Sequence, residues 1–481
     1  MRKVVAIMVV ALAALCLAGP AWSWDLGEHV TYGTNNKGDV LIFPVNPVLE
    51  GWDSKTVVIN TSRDYSVVAK VVVRSEAFSI ELLDFLIFLS PTDVWVGYLQ
   101  FGPDGPEMYS EDDSVQTDDG TFASSTNPMR VPLVRPVCEP DYQFVSVEVI
   151  ESWACGEYWN AGDALVGQPN LGGPSADLGL PPVPKESIHD AYFSAPWGDG
   201  ICDFDEDTQN VLGGHYEVSV MPIATAADSP TFLAGYNVET RLTIFNETKL
   251  GVDNARNNIC EVDAVLAKDR IYSYYYANDS PDLSFHWEFF PTKYTTINTA
   301  CQAVGVAPGG FWDYQWTNMT EGTVFIDPWI CLEFGLRYWD LSEKTPSVDL
   351  IYSPIPDEEK RFKCWEINLV APFATPWDFI YDEGWAEYRF EYSTSCVTAA
   401  HVEPAPGAAG NIQYVNFNGV PEIPVVWFIK GIAGFSIHTP GWDDALVEYY
   451  DGACDPPLMG PAPVPQYHVW EGTDWPFWPC P

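Results

Sequence analysis

Basic residues are scarce in this chain: 23 Lys and Arg stand against 67 Asp and Glu, a formal net charge of −44. A field of that sign repels phosphate backbones, which excludes nucleic-acid binding, and it disfavours anionic membrane surfaces. The short patterns of common chemistries are missing too. There is no G-x-S-x-G elbow and no P-loop. The 7 histidines never fall in H-E-x-x-H or H-x-H spacing, so no His-based zinc site is indicated. No C-x-x-C pair occurs, which removes zinc ribbons and covalent c-type haem. Helical periodicity is rare, with one short helix expected at 261–268. Beyond the first residues, no run is apolar and long enough to span a membrane.

What is there begins with a leader. Arg2 and Lys3 precede the uncharged apolar run 4–17, and Ala21-Trp22-Ser23 supplies small residues at −3 and −1. A signal peptide over 1–23, cleaved after Ser23, is expected. The apolar run is too short for an anchor, since crossing the hydrocarbon core takes about 20 residues. No membrane span is therefore expected after cleavage, and the location implied is secreted or cell-surface. Beyond the leader lie Cys138, Cys155, Cys202, Cys260, Cys301, Cys331, Cys364, Cys396, Cys454 and Cys480. Even in number and scattered, they read as disulfides in an oxidising compartment. Connectivity cannot be deduced; Cys138 with Cys155 is the first guess, because the two bracket one strand-like run.

Hydrophobic residues make up 47%, with 20 Trp, 24 Tyr and 25 Phe, which is ample material for cores. Period-two alternation recurs at 67–74, 144–150, 238–244, 365–369 and 386–392. The 40 Pro and 36 Gly cut the chain into short segments. The fold class expected is all-β: antiparallel β-sandwich units, Ig-like or jelly-roll-like, two in number, with long loops and disulfides. Residues 82–89 are apolar on both faces except for Asp84. They read as a central buried strand or a short buried helix, the length and the following Ser90-Pro91 turn favouring a strand, and the carboxylate needs a partner, Lys70 or Arg74. Pro421 and Pro424 suggest an edge strand near 425–428. A Pro/Gly-rich linker and acidic loop at 167–210 would divide an N-terminal sandwich, 24–166, from a C-terminal β-rich domain, 211–450. A Pro/Trp-rich tail follows at 451–481.

One block has a recognisable order. Val57-Val-Ile-Asn-Thr-Ser62 is followed by Val68-Ala-Lys-Val-Val-Val-Arg74 and by Ser79-Ile-Glu-Leu-Leu-Asp-Phe-Leu-Ile-Phe-Leu-Ser-Pro-Thr-Asp-Val-Trp95. Ser146-Val-Glu-Val-Ile150 comes next, with Phe290-Pro-Thr-Lys293, Cys364-Trp-Glu-Ile-Asn-Leu369, Gly384-Trp385 and Gly419-Val-Pro421 further on. The series resembles a core of uncharacterised bacterial exported, cell-surface all-β proteins. That resemblance implies an envelope or extracellular location and an all-β fold. It carries over no activity.

The one ligand-like cluster is Asp203, Asp205 and Asp207, whose alternate carboxylates could converge on calcium. Thr208 stands where an EF-hand loop needs Gly and Gly214 where it needs Glu, so an EF-hand is rejected and a looser calcium loop remains. Glu111, Asp112, Asp113, Asp118 and Asp119 form a second acidic loop. Trp153, Trp159, Trp197, Trp312, Trp316, Trp475 and Trp478 lie in turn-like contexts, where exposed rings could stack on sugars, although aromatic rings more often fill cores. The function expected first is that of a non-enzymatic secreted or cell-surface structural or interaction protein, with other envelope or extracellular proteins as partners. A glycan-binding protein using exposed Trp is the alternative. So is a secreted hydrolase with a carboxylate pair, which 67 acidic residues can neither support nor exclude.

Overall fold

The computed structural model describes residues 31–76, 81–133, 142–155, 183–194, 209–220, 223–234, 265–277, 282–289, 332–342, 359–363, 367–372, 381–389, 393–399, 412–418, 420–430, 434–444 and 447–451. The expected leader, the acidic cluster Asp203, Asp205 and Asp207, the alternation at 238–244 and the tail from 452 lie outside these residues. So do Cys138, Cys202, Cys260, Cys301, Cys331, Cys364, Cys454 and Cys480.

The described chain is all-β and antiparallel, in a sandwich arrangement. Its first part comprises β1 (Thr31–Tyr32), β2 (Val40–Pro47), β3 (Trp52–Asn60), β4 (Ser66–Ser75), β5 (Glu81–Leu89), β6 (Val94–Gly102), β7 (Gly105–Ser110), β8 (Met129–Pro132) and β9 (Phe144–Cys155). A helix, α1 (Lys185–Ser194), precedes β10 (Leu212–Val220), β11 (Ile223–Asp228) and β12 (Thr231–Ala234). One sheet runs β1-β12-β2-β9-β4-β5 and the other β11-β10-β3-β6-β7-β8. Leu41, Val71, Val147 and Val149 join Val58, Trp95, Leu99 and Val218 in one buried cluster between them. Phe43 meets Tyr216 edge-on across the gap at 5.8 Å.

This topology corrects the expected division at 167–210. Strands β10, β11 and β12 lie beyond that stretch in sequence, yet they sit inside the same two sheets. Stretch 167–210 therefore connects strands of one sandwich. Turn-rich composition marks chain reversals equally well within a domain and between domains.

Alternation predicted β4 well and its environment poorly. The inward set Val67, Ala69, Val71 and Val73 is buried, but so is the outward set, and all ten residues are buried. The outward charges are paired: Lys70 meets Asp84 at 2.8 Å and Arg74 meets Glu148 at 3.0 Å. Lys70 is thus the partner expected for Asp84. Strand β5 is not central; it is the edge of its sheet. It is apolar on both faces because α1 packs over the outer one, with Leu86 and Phe88 clustering with Ile188 and Tyr192. Its open edge is also engaged, since Phe88 N–H donates to Ser114 O at 2.7 Å. Such cover is one way in which edge strands avoid pairing with other chains.

Helix α1 was not anticipated; of the helix expected at 261–268, residues 261–264 lie outside the described residues, Val265 and Leu266 are helical, and Ala267 already begins strand β13. The signal for α1 was local: Glu186 in the first turn and Ile188, Ala191 and Tyr192 at one-face spacing, behind a polyproline run that reads as loop.

The second part comprises β13 (Ala267–Tyr276), β14 (Asp282–Phe289), β15 (Leu332–Asp340), β16 (Glu359–Lys363), β17 (Ile367–Pro372), β18 (Glu383–Arg389), β19 (Ser393–Ala399), β20 (Ile412–Asn418), β21 (Val420–Pro421), β22 (Ile423–Lys430), β23 (Gly434–His438), β24 (Gly441–Asp444) and β25 (Val447–Asp451). These form sheets β16-β15-β18-β13-β21 with β24 also on β13, β17-β14-β22-β23, and β19-β20-β25. Strand β22 is interior, not the edge that its prolines suggested. Pro424 precedes the residues paired with β23, which begin at Val426, so its missing N–H costs no ladder bond on that side.

Among the described residues, the sandwich core continues into β14, β17, β22 and β23, while the buried Ile271, Tyr275, Leu336, Ala386 and Tyr388 of β13, β15 and β18 lie outside that cluster. Trp287, Phe289, Val425, Trp427 and Phe435 belong to the same buried cluster as the sandwich. Trp52 of β3 stacks on Trp427 at 5.9 Å, and Phe144 of β9 lies 4.5 Å from Trp287. Lys268 reaches across to the Tyr32 hydroxyl and donates to Leu266 O at 2.9 Å. Among the described residues, no helix is long and apolar enough to cross a membrane.

Candidate functional site

One aromatic surface lies on the outward face of β13, β18 and β15. Register places Tyr274 opposite Trp385, and Trp385 opposite Trp339, in one row across three strands. Because alternate residues share a face, the next rows are Tyr272, Glu387 and Arg337 on one side, and Tyr276 with Glu383 on the other. The inward set, Ile271, Tyr275, Ala386, Tyr388 and Leu336, is buried. That burial fixes which way the row must point.

Within the row, Trp339 and Trp385 are parallel at 3.8 Å and 13° and half-buried. Tyr274 keeps 39% of its surface exposed and Leu341, just past β15, 59%. Tyr274 hydroxyl donates to Glu383 Oε2 at 3.0 Å. Burial first, and then the Glu383 bond, raise its pKa well above that of an ordinary phenol. Glu387 is held between Arg270 and Arg389, each at 3.3 Å. The aromatic surface continues through Tyr276, 5.8 Å from Phe428, with Lys430 Nζ 5.7 Å above the Tyr276 ring. Gly384 makes the row possible. A Cβ there would lie 1.8 Å from Trp339 O and 2.9 Å from the Tyr275 hydroxyl, which donates to that same carbonyl.

A second feature is an open depression of about 350 Å³ on the outer face of the second sandwich sheet, lined by Asp53, Lys55, Tyr98, Gln100, Tyr109, Glu217 and Ser219. It follows another cross-sheet row, Glu217, Lys55, Tyr98, Tyr109 and Arg130. Lys55 and Glu217 of its lining pair with each other. Glu217 meets Lys55 at 3.3 Å and His215 at 3.4 Å, while Glu107 receives Gln100 at 2.7 Å and Arg130 at 3.0 Å. A glycosidase acid needs the opposite setting, a carboxyl kept protonated in an apolar pocket.

A fully buried carboxyl pair lies elsewhere. Glu151 and Asp39 are 0% exposed. Burial and then the Asp39 charge push Glu151 far above the usual carboxylate range. Their oxygens accept the backbone N–H groups of Gln209 and Asn210 at 2.8 Å each, so the pair anchors the start of β10.

Of the tryptophans singled out from sequence, only Trp153 is among the described residues, and it is 1% exposed against Tyr192 of α1. The stacked, half-buried pair Trp339 and Trp385 was missed as a site. Gly384-Trp385 carried a signal only as a motif, and its meeting with Trp339 depends on strand pairing. Cys155 ends β9, buried beside α1, and Cys396 lies in β19 opposite Val415. The acidic loop 111–119 is internally capped: Asp112 accepts Ser114 N–H at 2.9 Å, and Thr121 and Thr117 hold Asp119 down to about 2. Among the described residues, no group of three or more His, Cys, Asp or Glu could hold a metal ion.

Comparison of the chain with protein-family models, with curated proteins and with solved structures finds no match.

Proposed function

We propose that this chain is an exported, non-enzymatic binding protein of the cell surface or extracellular space, and that it receives a glycan on the β13–β18–β15 face. The row Tyr274, Trp385 and Trp339 carries this reading. A sugar ring offers an apolar C–H face bounded by hydroxyls. The row offers half-exposed aromatic rings, flanked in register by Glu383 on one side and by Arg337 and Glu387 on the other. Aromatic contact supplies area, and planar charged groups supply orientation. The strongly acidic surface suits neutral or basic sugars better than anionic ones. The leader, the even set of ten cysteines and the resemblance to exported all-β proteins support the location.

The test is depletion of the pure protein by insoluble polysaccharides, followed by titration of soluble oligosaccharides with tryptophan fluorescence. Trp339→Ala and Trp385→Ala should each weaken binding by about tenfold, the equivalent of roughly 1.4 kcal/mol. Binding that both variants retain would refute the site. A broad panel of neutral and amino sugars that all fail to bind would refute the function.

A further inference from the structure

Lys185, the first residue of α1, reaches the turn between β5 and β6. Its side chain is 10% exposed and contacts Asp93 Oδ2, whose own side chain is 22% exposed. Lys185 Nζ donates to Ser114 Oγ at 3.0 Å and lies 3.9 Å from Asp113 Oδ1. The same Asp93 oxygen accepts Ser90 N–H at 3.1 Å, Ser90 Oγ at 3.2 Å and Ser114 Oγ at 3.4 Å. The turn that presents Asp93 is held tightly. Thr92 sits at φ 63°, a costly conformation for a β-branched residue. Its N–H donates to Ser62 O at 2.8 Å. The Lys70–Asp84 pair differs, because its carboxylate is 35% exposed on the open part of β5.

We propose that Lys185 and Asp93 are joined by an amide between Lys185 Nζ and Asp93 Cγ, formed by the folded chain itself. Burial lowers the lysine to about 8, which makes the neutral amine accessible. A proton passes from the ammonium to the carboxylate, leaving amine and carboxylic acid. The Nζ lone pair then attacks Cγ, and the C=O electron pair moves onto Oδ2, where the Ser90 N–H and the two serine hydroxyls stabilise it as an oxyanion hole would. The remaining extra proton on nitrogen moves to Oδ1, with the Asp113 carboxylate as carrier. The Cγ–Oδ1 bond breaks, water leaves and the carbonyl re-forms. One water is lost and no oxidant or cofactor is consumed. The product ties α1 to the sheet edge that it covers and closes a long loop, which constrains the unfolded chain as a disulfide does but resists reduction.

The experiment is mass spectrometry of the purified, reduced and alkylated full chain with its N-terminus determined. The wild type should be one water lighter than its sequence. Proteolysis should yield a branched peptide that joins the Lys185 and Asp93 segments. Lys185→Arg and Asp93→Ala should each restore the full mass, and Asp113→Asn should leave an unreacted fraction. A wild-type protein of full mass would overturn the proposal whether or not the variants fold. So would a water loss that maps to an Asp93 succinimide, or one that persists in Lys185→Arg.

Discussion

Glu148 shows how a single residue can read as ordinary in sequence and be decisive in place. It falls on the polar side of an alternating strand, yet it is 0% exposed with Arg74 on one oxygen at 3.0 Å. Arg74→Met leaves that carboxylate buried without its guanidinium and should cost about 3–5 kcal/mol in urea unfolding. Glu76 provides a pH dependence. Burial pushes it up to about 7, with backbone bonds from Gln143 and Phe144 pulling part of the way back. The folded state therefore holds a proton that the unfolded chain releases near 4.5. The stabilisation is complete below 4.5 and is lost as pH rises through about 7, on the order of 3 kcal/mol at most. Glu151 acts in the same direction. The urea midpoint should fall across that window, and Glu76→Gln should flatten the fall; an unchanged slope would show that Glu76 is not its source.

Among the elements, α1 and β5 depend on one another. The helix is short and has no basic residue in its last turn, so propensity alone would not hold it. What holds it is Ile188, 0% exposed, with Val183 and Tyr192 against Leu86, Phe88 and Trp153. Ile188→Ala should cost about 2–5 kcal/mol and raise hydrogen exchange in both α1 and β5. If β5 stays protected while α1 exchanges, the two are not coupled. Strand identity was legible here, because the apolar run 82–89 is a strand and Asp84 has a lysine partner. Position was not legible. An edge strand covered on its outer face has the same two-sided hydrophobicity as a central one, so pattern cannot separate them.

Over the whole molecule, the seam of Trp52, Phe144, Trp287, Trp427 and Phe435 makes two regions share one core. Trp427→Ala should cost about 3–5 kcal/mol. It should also shift unfolding probes in both regions together. A double-mutant cycle of Trp52 and Trp427 should show coupling of about 0.5–1.5 kcal/mol. Two independent transitions in the wild type would contradict a shared core. The candidate glycan face belongs to this scale too, since its row needs three strands from distant parts of the sequence. Sequence inspection placed exposed tryptophans in loops and found the acidic cluster at 203–207. Nothing local to Trp339 or Trp385 announced that they would stack.

By itself the sequence determined the fold class. Period-two alternation is a local property of each strand, and enough apolar surface on one side obliges antiparallel sheets to pack face to face. It also determined the strong acidity. Only the tertiary structure decided where the sandwich ends, that 212–234 returns to complete both sheets, which strands form edges, and which aromatic residues meet in a row. Those depend on register and on pairing between distant segments. Many sequences with the same local pattern could satisfy them differently, and one set of contacts selects among them.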